Sequence, residues 1–243
     1  MLHQSIKQEH IMSSEIATLS QENNVSIIQL DDGKANAFSY EMLTRFNELL
    51  AEVPRDSGAL IITGRDGLFS GGFDLKTLAT GDMEKIQKMV TLGYKTLLDL
   101  YGFDRPIIAA VSGHSIALGL FVTCCADYRI AIDGQYICQA NEVRNNMDIP
   151  IQIMEILKAR VNKNYFYPAV YHSDAYSMKD SIAVGFIDEV VAEDKFMERV
   201  TEKAVELSTL PHPFYVKTKH FAQGDVMQKI ADAIEKYEKL TTS

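Results

Sequence analysis

The stretch ALIITGRDGLFSGGFDL, residues 59–75, decides the fold. ALIITG (59–64) reads as a buried strand closed by a glycine, and a Gly-rich loop, GLFSGGFDL (67–75), follows it. A glycine pair placed after a buried strand lets the backbone turn sharply and approach a ligand closely. It leaves the N–H groups of Gly72 and Phe73 to point inward. An ordinary strand-to-helix turn is the other reading, and the glycine pair alone does not choose between them.

The same pattern recurs on both sides of this stretch. VSIIQL (25–30) is a β-rich run ending at Asp31-Asp32-Gly33, and Ser39 then stands as an N-cap before Met42, Leu43, Phe46, Leu49 and Leu50 at helical spacing. Residues 83–101 carry apolar positions at helical period. PIIAAVSG (106–113) is a second buried strand, leading from Gly113 into an apolar helix at about 116–126, and DYRIAI (127–132) is a strand again. Strands alternating with helices imply an α/β architecture of repeated ββα or βαβ units. Residues 1–22 read as a loose polar lead-in. GFIDEVV (185–191) reads as a late strand, and 194–208, 212–222 and 224–241 as helices. A boundary near residue 190 divides a core, 1–190, from a C-terminal helical region, 191–243, with Pro211-His212-Pro213 as a joint.

Composition narrows the function classes. With 243 residues, 47% of them apolar, the chain buries a sizeable core. A formal net charge of -9 argues against nucleic-acid binding, which needs clustered Lys and Arg. The opening MLHQSIKQEHIMSSE has no apolar leader-type run, and no apolar run approaches the roughly 20 residues of a membrane span. Cys124, Cys125 and Cys138 lack CxxC spacing and read as reduced, buried thiols, so a cytoplasmic location is expected. No His/Cys/Asp cluster has metal-ligand spacing, and Ser70 with His114 lacks a third member for a triad.

Five segments taken together resemble the crotonase superfamily, the enoyl-CoA hydratase/isomerase family. They are DDGKANAFS (31–39), ITGRDGLFSGGFDLKTL (62–78), RPIIAAVSGHSIALG (105–119), CADYRIA (125–131) and SDAYSMKDSIAVGFIDEVV (173–191). They stand in family order and cover roughly residues 24–217. The resemblance implies a crotonase (ClpP/crotonase-like) α/β fold of ββα units with a C-terminal helical trimerisation region, and hence a homotrimer or dimer of trimers. It implies an acyl-CoA substrate, no separate cofactor, and an oxyanion hole made by the backbone amides of Phe73 and Leu118. Leu118 stands where the family often has glycine, which keeps the N–H and narrows the space. Lys34, Ala35, Asn36, Gly72, Asp74, Leu75 and Phe121 are the matching substrate- or coenzyme-A-binding positions. For Lys34 a solvated turn lysine is the alternative, and for Asp74 local backbone hydrogen bonding. Lys217 and Lys219 are solvated helix residues or phosphate contacts across an interface, and His114 is a structural hydrogen-bonding residue or part of the site wall.

Hydratases of the family carry two carboxylates. The first position is here Phe121, and LGLFVTCCAD (118–127) contains no Glu. The second is Glu142, in YICQANEVRNNMDIP (136–150), where Asn-Glu resembles the Δ3,Δ2-enoyl-CoA isomerase branch. Water addition asks for one group to activate water and one to deliver a proton, whereas a double-bond shift needs one base that takes a C2 proton and returns it to C4. An isomerase with Glu142 as the single acid/base is therefore the first reading. The alternatives are a hydratase or other thioester chemistry, and a non-catalytic acyl-CoA-binding or scaffold protein. Beside Glu142, the run Arg144, Asn145, Asn146 reshapes the acyl pocket, forms an exposed loop or contacts a polar acyl chain. If Arg144 pairs with Glu142, it lowers that pKa and weakens the base.

Overall fold

The computed structural model describes residues 15–241. Residues 1–14 of the expected lead-in lie outside the described residues, but the rest of it is not loose: β1 (Ala17–Glu22) pairs antiparallel with β2 (Val25–Leu30). Asn23 and Asn24 close this hairpin at φ 50° and 63°, a left-handed turn that Asn tolerates. Strand β1 escapes a reading by pattern because it is a largely exposed edge that ends in three consecutive polar residues, Ser20, Gln21 and Glu22, with only Ala17 fully buried.

From here the chain winds as ββα units, each contributing one strand to each of two sheets. After α1 (Tyr40–Glu52), β3 (Ala59–Thr63) enters the large sheet and β4 (Gly67–Ser70) the small one, followed by α2 (Leu75–Ala79) and α3 (Met83–Tyr101). The next unit is β5 (Ile107–Val111), β6 (Gly113–Ile116) and α4 (Leu118–Cys125), and the next β7 (Tyr128–Ile132), β8 (Ile137–Gln139) and α5 (Ile151–Arg160). Then come β9 (Tyr176–Ser177), α6 (Asp180–Val184), β10 (Glu189–Val191), α7 (Phe196–Ser208) and α8 (His212–Thr241). The large sheet has the order β1-β2-β3-β5-β7-β10, parallel except for β1, and the small sheet the order β4-β6-β8-β9.

Alternation along the central strands divides the core. Leu60 and Ile62 of β3 face the cluster covered by α1, α3, α4 and α5, while Ala59 and Ile61 face a second cluster with Phe196, Val200 and Ala204 of α7. Ser39 caps α1 by accepting a 3.1 Å bond from the Met42 amide, and Met42, Leu43, Phe46, Leu49 and Leu50 are its buried face. Helix α7 thus packs directly on the sheet, and α8 lies against α3 and α5. The expected boundary at residue 190 divides segments that pack on one another.

Three local expectations change. Gly113 does not lead straight into a helix but opens β6, the second strand of its unit. The late strand is only Glu189–Val191. The two helices expected at 212–222 and 224–241 are one helix of 30 residues, because Gly224 sits in open space where a helix tolerates it.

An ion pair between the buried Arg129 and the exposed Asp188 ties the late strand to the sheet. Arg129 donates from Nε and Nη2 to both Asp188 oxygens at 2.8 and 2.6 Å, and from Nη1 to the Gly185 carbonyl. Removing one partner of such a pair strands the other charge in a poorly solvated place. Asp188→Ala is expected to lower unfolding stability by about 3 kcal/mol, read from the urea midpoint. A change within 0.5 kcal/mol, a surface-pair value, would contradict this.

Candidate active site

Among the described residues, the Phe73 amide of the Gly-rich loop has no acceptor. Gly71 N–H donates to the Ala35 carbonyl at 2.9 Å, and Gly72 N–H donates to Ser70 Oγ at 3.1 Å. Phe38 bridges the next residues, donating to the Gly72 carbonyl and accepting from Asp74 N–H. Parallel pairing of this kind uses the groups on either side of Phe73 and turns the Phe73 N–H away. Of the two amides expected to point inward, Phe73 keeps its freedom and Gly72 does not.

A second free amide lies beside the first. Ala117 N–H is held by the Gln139 carbonyl, and Phe121 N–H opens the α4 ladder on the Ala117 carbonyl, so Leu118 is the first helical residue, with no acceptor for its N–H. Ala117 reaches this junction at φ 51°, ψ -126°, a conformation costing an L-residue about 1–3 kcal/mol. The strain turns β6 abruptly into α4, so that the helix begins at Leu118. A Cβ added at Gly72 would lie 2.6 Å from Ala117 Cβ and 3.2 Å from the Leu118 nitrogen, which measures how closely the loops approach. Here glycine at φ 95° is required by both backbone and space. Two N–H donors on neighbouring loops, one of them at the positive end of a helix, are of the kind that suits an oxygen gaining negative charge.

Glu142 supplies the titratable group. It follows β8 and is 7% exposed. Burial pushes its pKa up to about 7, a little offset by its own backbone N–H. Its Oε2 has no hydrogen-bond partner among the described residues. Arg144 does not pair with it: that guanidinium donates to the His172 carbonyl at 2.9 Å and to Asp174 Oδ1 at 2.9 Å. The run Arg144-Asn145-Asn146 forms an exposed turn, with Val143–Asn145 as one turn of 3-10 helix and Asn146 at φ 58°. Glu142 O accepts from Asn145 and Met147 N–H, so the polar run closes back on the base while its side chains face away from the core. Phe121 is buried, and α4 carries no carboxylate.

Two residues near the site, Gly93 and Tyr94, escaped the sequence reading, and a third, Asn141, entered it only through the Asn-Glu pair. Gly93, inside α3, lies under both loops: a Cβ there would meet the Phe73 ring at 2.6 Å and Leu118 Cδ2 at 3.5 Å. A glycine in a helix interior costs about 1 kcal/mol, and that broken local rule was the available signal for a close approach. Its neighbour Tyr94 is buried, edge-on to Tyr237 of α8 at 5.6 Å, and burial, Tyr237 and the charge of Glu142 all raise its pKa. Asn141 buries its Oδ1 without a donor. No local signal marks Tyr94.

The other expected residues separate in kind. Asn36 is not available to a ligand through its side chain, which is fully buried and donates to the Leu30, Leu68 and Phe69 carbonyls while accepting from Asp32 N–H. Its work is to fasten the 31–39 loop to β4. Lys34 and Ala35 lie exposed beside it, and Arg65 donates to the Lys34 carbonyl. Asp74 caps α2, accepting from Lys76 and Thr77 N–H and from Thr77 Oγ1. Burial raises its pKa, but these bonds outweigh burial and hold it below the usual carboxylate value. Leu75 is 67% exposed at the start of α2. Lys219 is no phosphate contact: it is buried and pairs with Asp127 at 2.9 Å, while Lys217 lies exposed with its ammonium over Phe221. His114 accepts from Ile137 N–H at 3.2 Å, joining β6 to β8. The three cysteines are free and buried, and burial pushes Cys124 up to about 11 and Cys138 up to about 12. Among the described residues no cluster of His, Cys, Asp or Glu is arranged to hold a metal ion, and no helix is long and apolar enough to cross a membrane.

The model of one protein family, Enoyl-CoA hydratase/isomerase, matches residues 20–242. Enoyl-CoA delta isomerase 1, mitochondrial, from Mus musculus is 24% identical over 77% of this chain; the match spans 66% of that protein, just under two thirds. Crotonyl-CoA hydratase from Syntrophomonas wolfei is also 24% identical, over 79% of this chain and 75% of that one. The crystal structure of an enoyl-CoA hydratase from Mycobacterium ulcerans superimposes with a TM-score of 0.88, at 32% identity over 92% of this chain and 98% of that one.

Proposed function

Because the chain belongs to the enoyl-CoA hydratase/isomerase family, we propose that it is an enoyl-CoA isomerase that moves a double bond from C3 to C2 of an acyl thioester. The observation that carries the reading is Glu142: it is buried, burial pushes its pKa up to about 7, and α4 has Phe121 at the position where the family resemblance places a second acid. Relatives named as isomerases and as hydratases both match, so the choice rests on this carboxylate count.

The thioester oxygen accepts from the Phe73 and Leu118 amides. Glu142 takes a proton from C2, and the electron pair of that C–H bond moves through the conjugated system onto the thioester oxygen. The amides hold this dienolate while Glu142, now protonated, returns the proton to C4 and leaves a C2=C3 double bond. The Phe73 ring and the Leu118 side chain both lie against Gly93 of α3. Coenzyme A enters only as part of the substrate, and the chemistry calls for no separate cofactor.

Purified protein is expected to convert 3-hexenoyl-CoA to trans-2-hexenoyl-CoA, followed by the rise in conjugated-thioester absorbance. Binding of coenzyme A thioesters with no such conversion would replace the reading with a non-catalytic one. The proposal includes assembly as a trimer or a dimer of trimers through the C-terminal helices. Phe214 and Phe221, exposed at 73% and 79% on α8, support it, and sedimentation tests it. It also includes a cytoplasmic location, which cell fractionation tests.

A further inference from the structure

Arg105 is fully buried, 1% exposed, and stands just before β5. A guanidinium has five N–H donors and keeps its charge inside a protein. Here the Nη donors go to neutral groups: Nη1 donates to Ser26 Oγ at 3.4 Å and to the Pro54 carbonyl at 2.7 Å, and Nη2 to the Asn24 and Ala59 carbonyls at 3.1 and 2.8 Å. The remaining N–H, on Nε, is buried without an acceptor among the described residues. The Nη bonds tie the β1–β2 turn to Pro54 and to β3, a structural task that accounts for the donors but not for the charge. Among the described residues no carboxylate bonds to this guanidinium. Burial lowers its pKa, and the charge of Asp56 offsets this only through space. A buried charge without an opposite charge is costly, and buried charges are as a rule paired.

Arg105 lines a cavity of about 160 Å³, together with Pro54, Ser26, Glu22, Asn23 and Asn24. Asn23 and Asn24 sit at φ 50° and 63°, and neither backbone N–H has an acceptor among the described residues. Successive turn amides are anion-binding groups. Glu22 brings the opposite sign to the rim: it is exposed, and its carboxylate accepts from Asn23 Nδ2 at 3.4 Å. The cavity lies where β2 begins. The 31–39 segment, which brings Phe38 against Phe73, leaves the other end of β2, so the cavity is distinct from the candidate active site. We propose that this cavity binds a small oxyanion of the phosphate type, held by the Arg105 charge and the turn amides, and that the bound anion fastens the β1–β2 hairpin to the start of β5. The proposal is independent of the isomerase reading.

The test uses the full chain at constant ionic strength, with inorganic phosphate replacing chloride. Calorimetry is expected to show one saturable phosphate site per chain. Phosphate at about ten times its Kd should raise Tm by about 3–6 °C. Ser26→Asp places a carboxylate within reach of Nη1 and supplies the opposite charge from within the chain. This variant is expected to bind phosphate at least about ten-fold more weakly and to lose the rise in Tm. Glu22→Gln removes a like charge from an exposed turn and should tighten phosphate binding about two- to five-fold. This second variant decides the matter if Ser26→Asp does not fold. Methyl phosphate, run in parallel, separates the sources of the anion: binding of both assigns a phosphoryl group carried by a larger molecule, and binding of phosphate alone a free ion. No phosphate response beyond that of chloride overturns the proposal and leaves Arg105 a purely structural tether. An undiminished response in Ser26→Asp, or an affinity unmoved in Glu22→Gln, overturns it as well.

Discussion

Glu142→Gln is expected to abolish isomerisation, lowering kcat by about a thousand-fold or more while the thioester still binds, because the amide neither takes nor returns a proton. The wild-type rate should carry a titration on its acid side near pH 7, since burial pushes the Glu142 pKa up to about 7 and only the carboxylate removes the C2 proton. Activity therefore rises as pH increases through neutrality. The same shift has a stability consequence of opposite sense. A carboxyl whose folded-state pKa lies above its unfolded value keeps its proton in the folded chain while the unfolded chain ionises. Stability is then lost as pH rises from about 4.5 to about 7 and stays reduced above that. Glutamine removes this cost, so the inactive variant should be more stable than wild type at pH 8, by up to about 3 kcal/mol, and not at pH 4. Urea titrations at the two pH values check the sign. A variant that keeps full activity, or an acid limb that stays near pH 4.5 in wild type, would remove Glu142 from the chemistry.

Gly72→Ala should strike the other half of the site. The methyl group would meet Ala117 Cβ at 2.6 Å and the Leu118 nitrogen at 3.2 Å, and the residue sits at φ 95°. The two loops must then separate, and the donors no longer converge on one oxygen. Loss of one oxyanion donor costs about 100- to 1000-fold in kcat, and that is the expected fall, with the acid limb near pH 7 retained. Gly81→Ala is the control. Gly81 has φ 67° and open space around the added carbon, so the backbone strain is similar and the clash is absent. It should lose about 1 kcal/mol of stability and keep its rate. Equal kinetic losses in the two variants would show that left-handed strain, and not the meeting of Gly72 with Leu118, is responsible.

Most of the fold was legible because its signals are local. The apolar runs 59–63 and 107–111, the Ser39 cap and the helical period of 83–101 each encode their element within a few residues. The failures are also local in cause. Strand β1 presents mostly polar side chains to solvent, and the four-residue β6 was hidden between Gly113 and the start of α4. The expected helices 212–222 and 224–241 are one, because Gly224 sits in open space where a helix accepts glycine at modest cost. In the candidate site, the motif led to a Phe73 amide without an acceptor and to a buried Glu142, but the Gly72 amide was misread as free. Its acceptor, Ser70 Oγ, is two residues away and also donates to the Asn36 carbonyl of a different loop.

Residue order alone therefore settles the α/β architecture of alternating strands and helices, the two loops that start after buried strands, and the presence of Phe121 and Glu142 at the positions the family resemblance assigns to carboxylates. Those depend on periodicity, glycine placement and the presence or absence of a side-chain type. Only the tertiary structure decides that Glu142 is desolvated, that Arg144 turns to Asp174 instead of neutralising it, and that Asn36 and Lys219 serve the framework. Burial, pairing and pKa are set by atoms distant in sequence. Asp127 and Lys219, 92 residues apart, share a bond that no window of sequence contains.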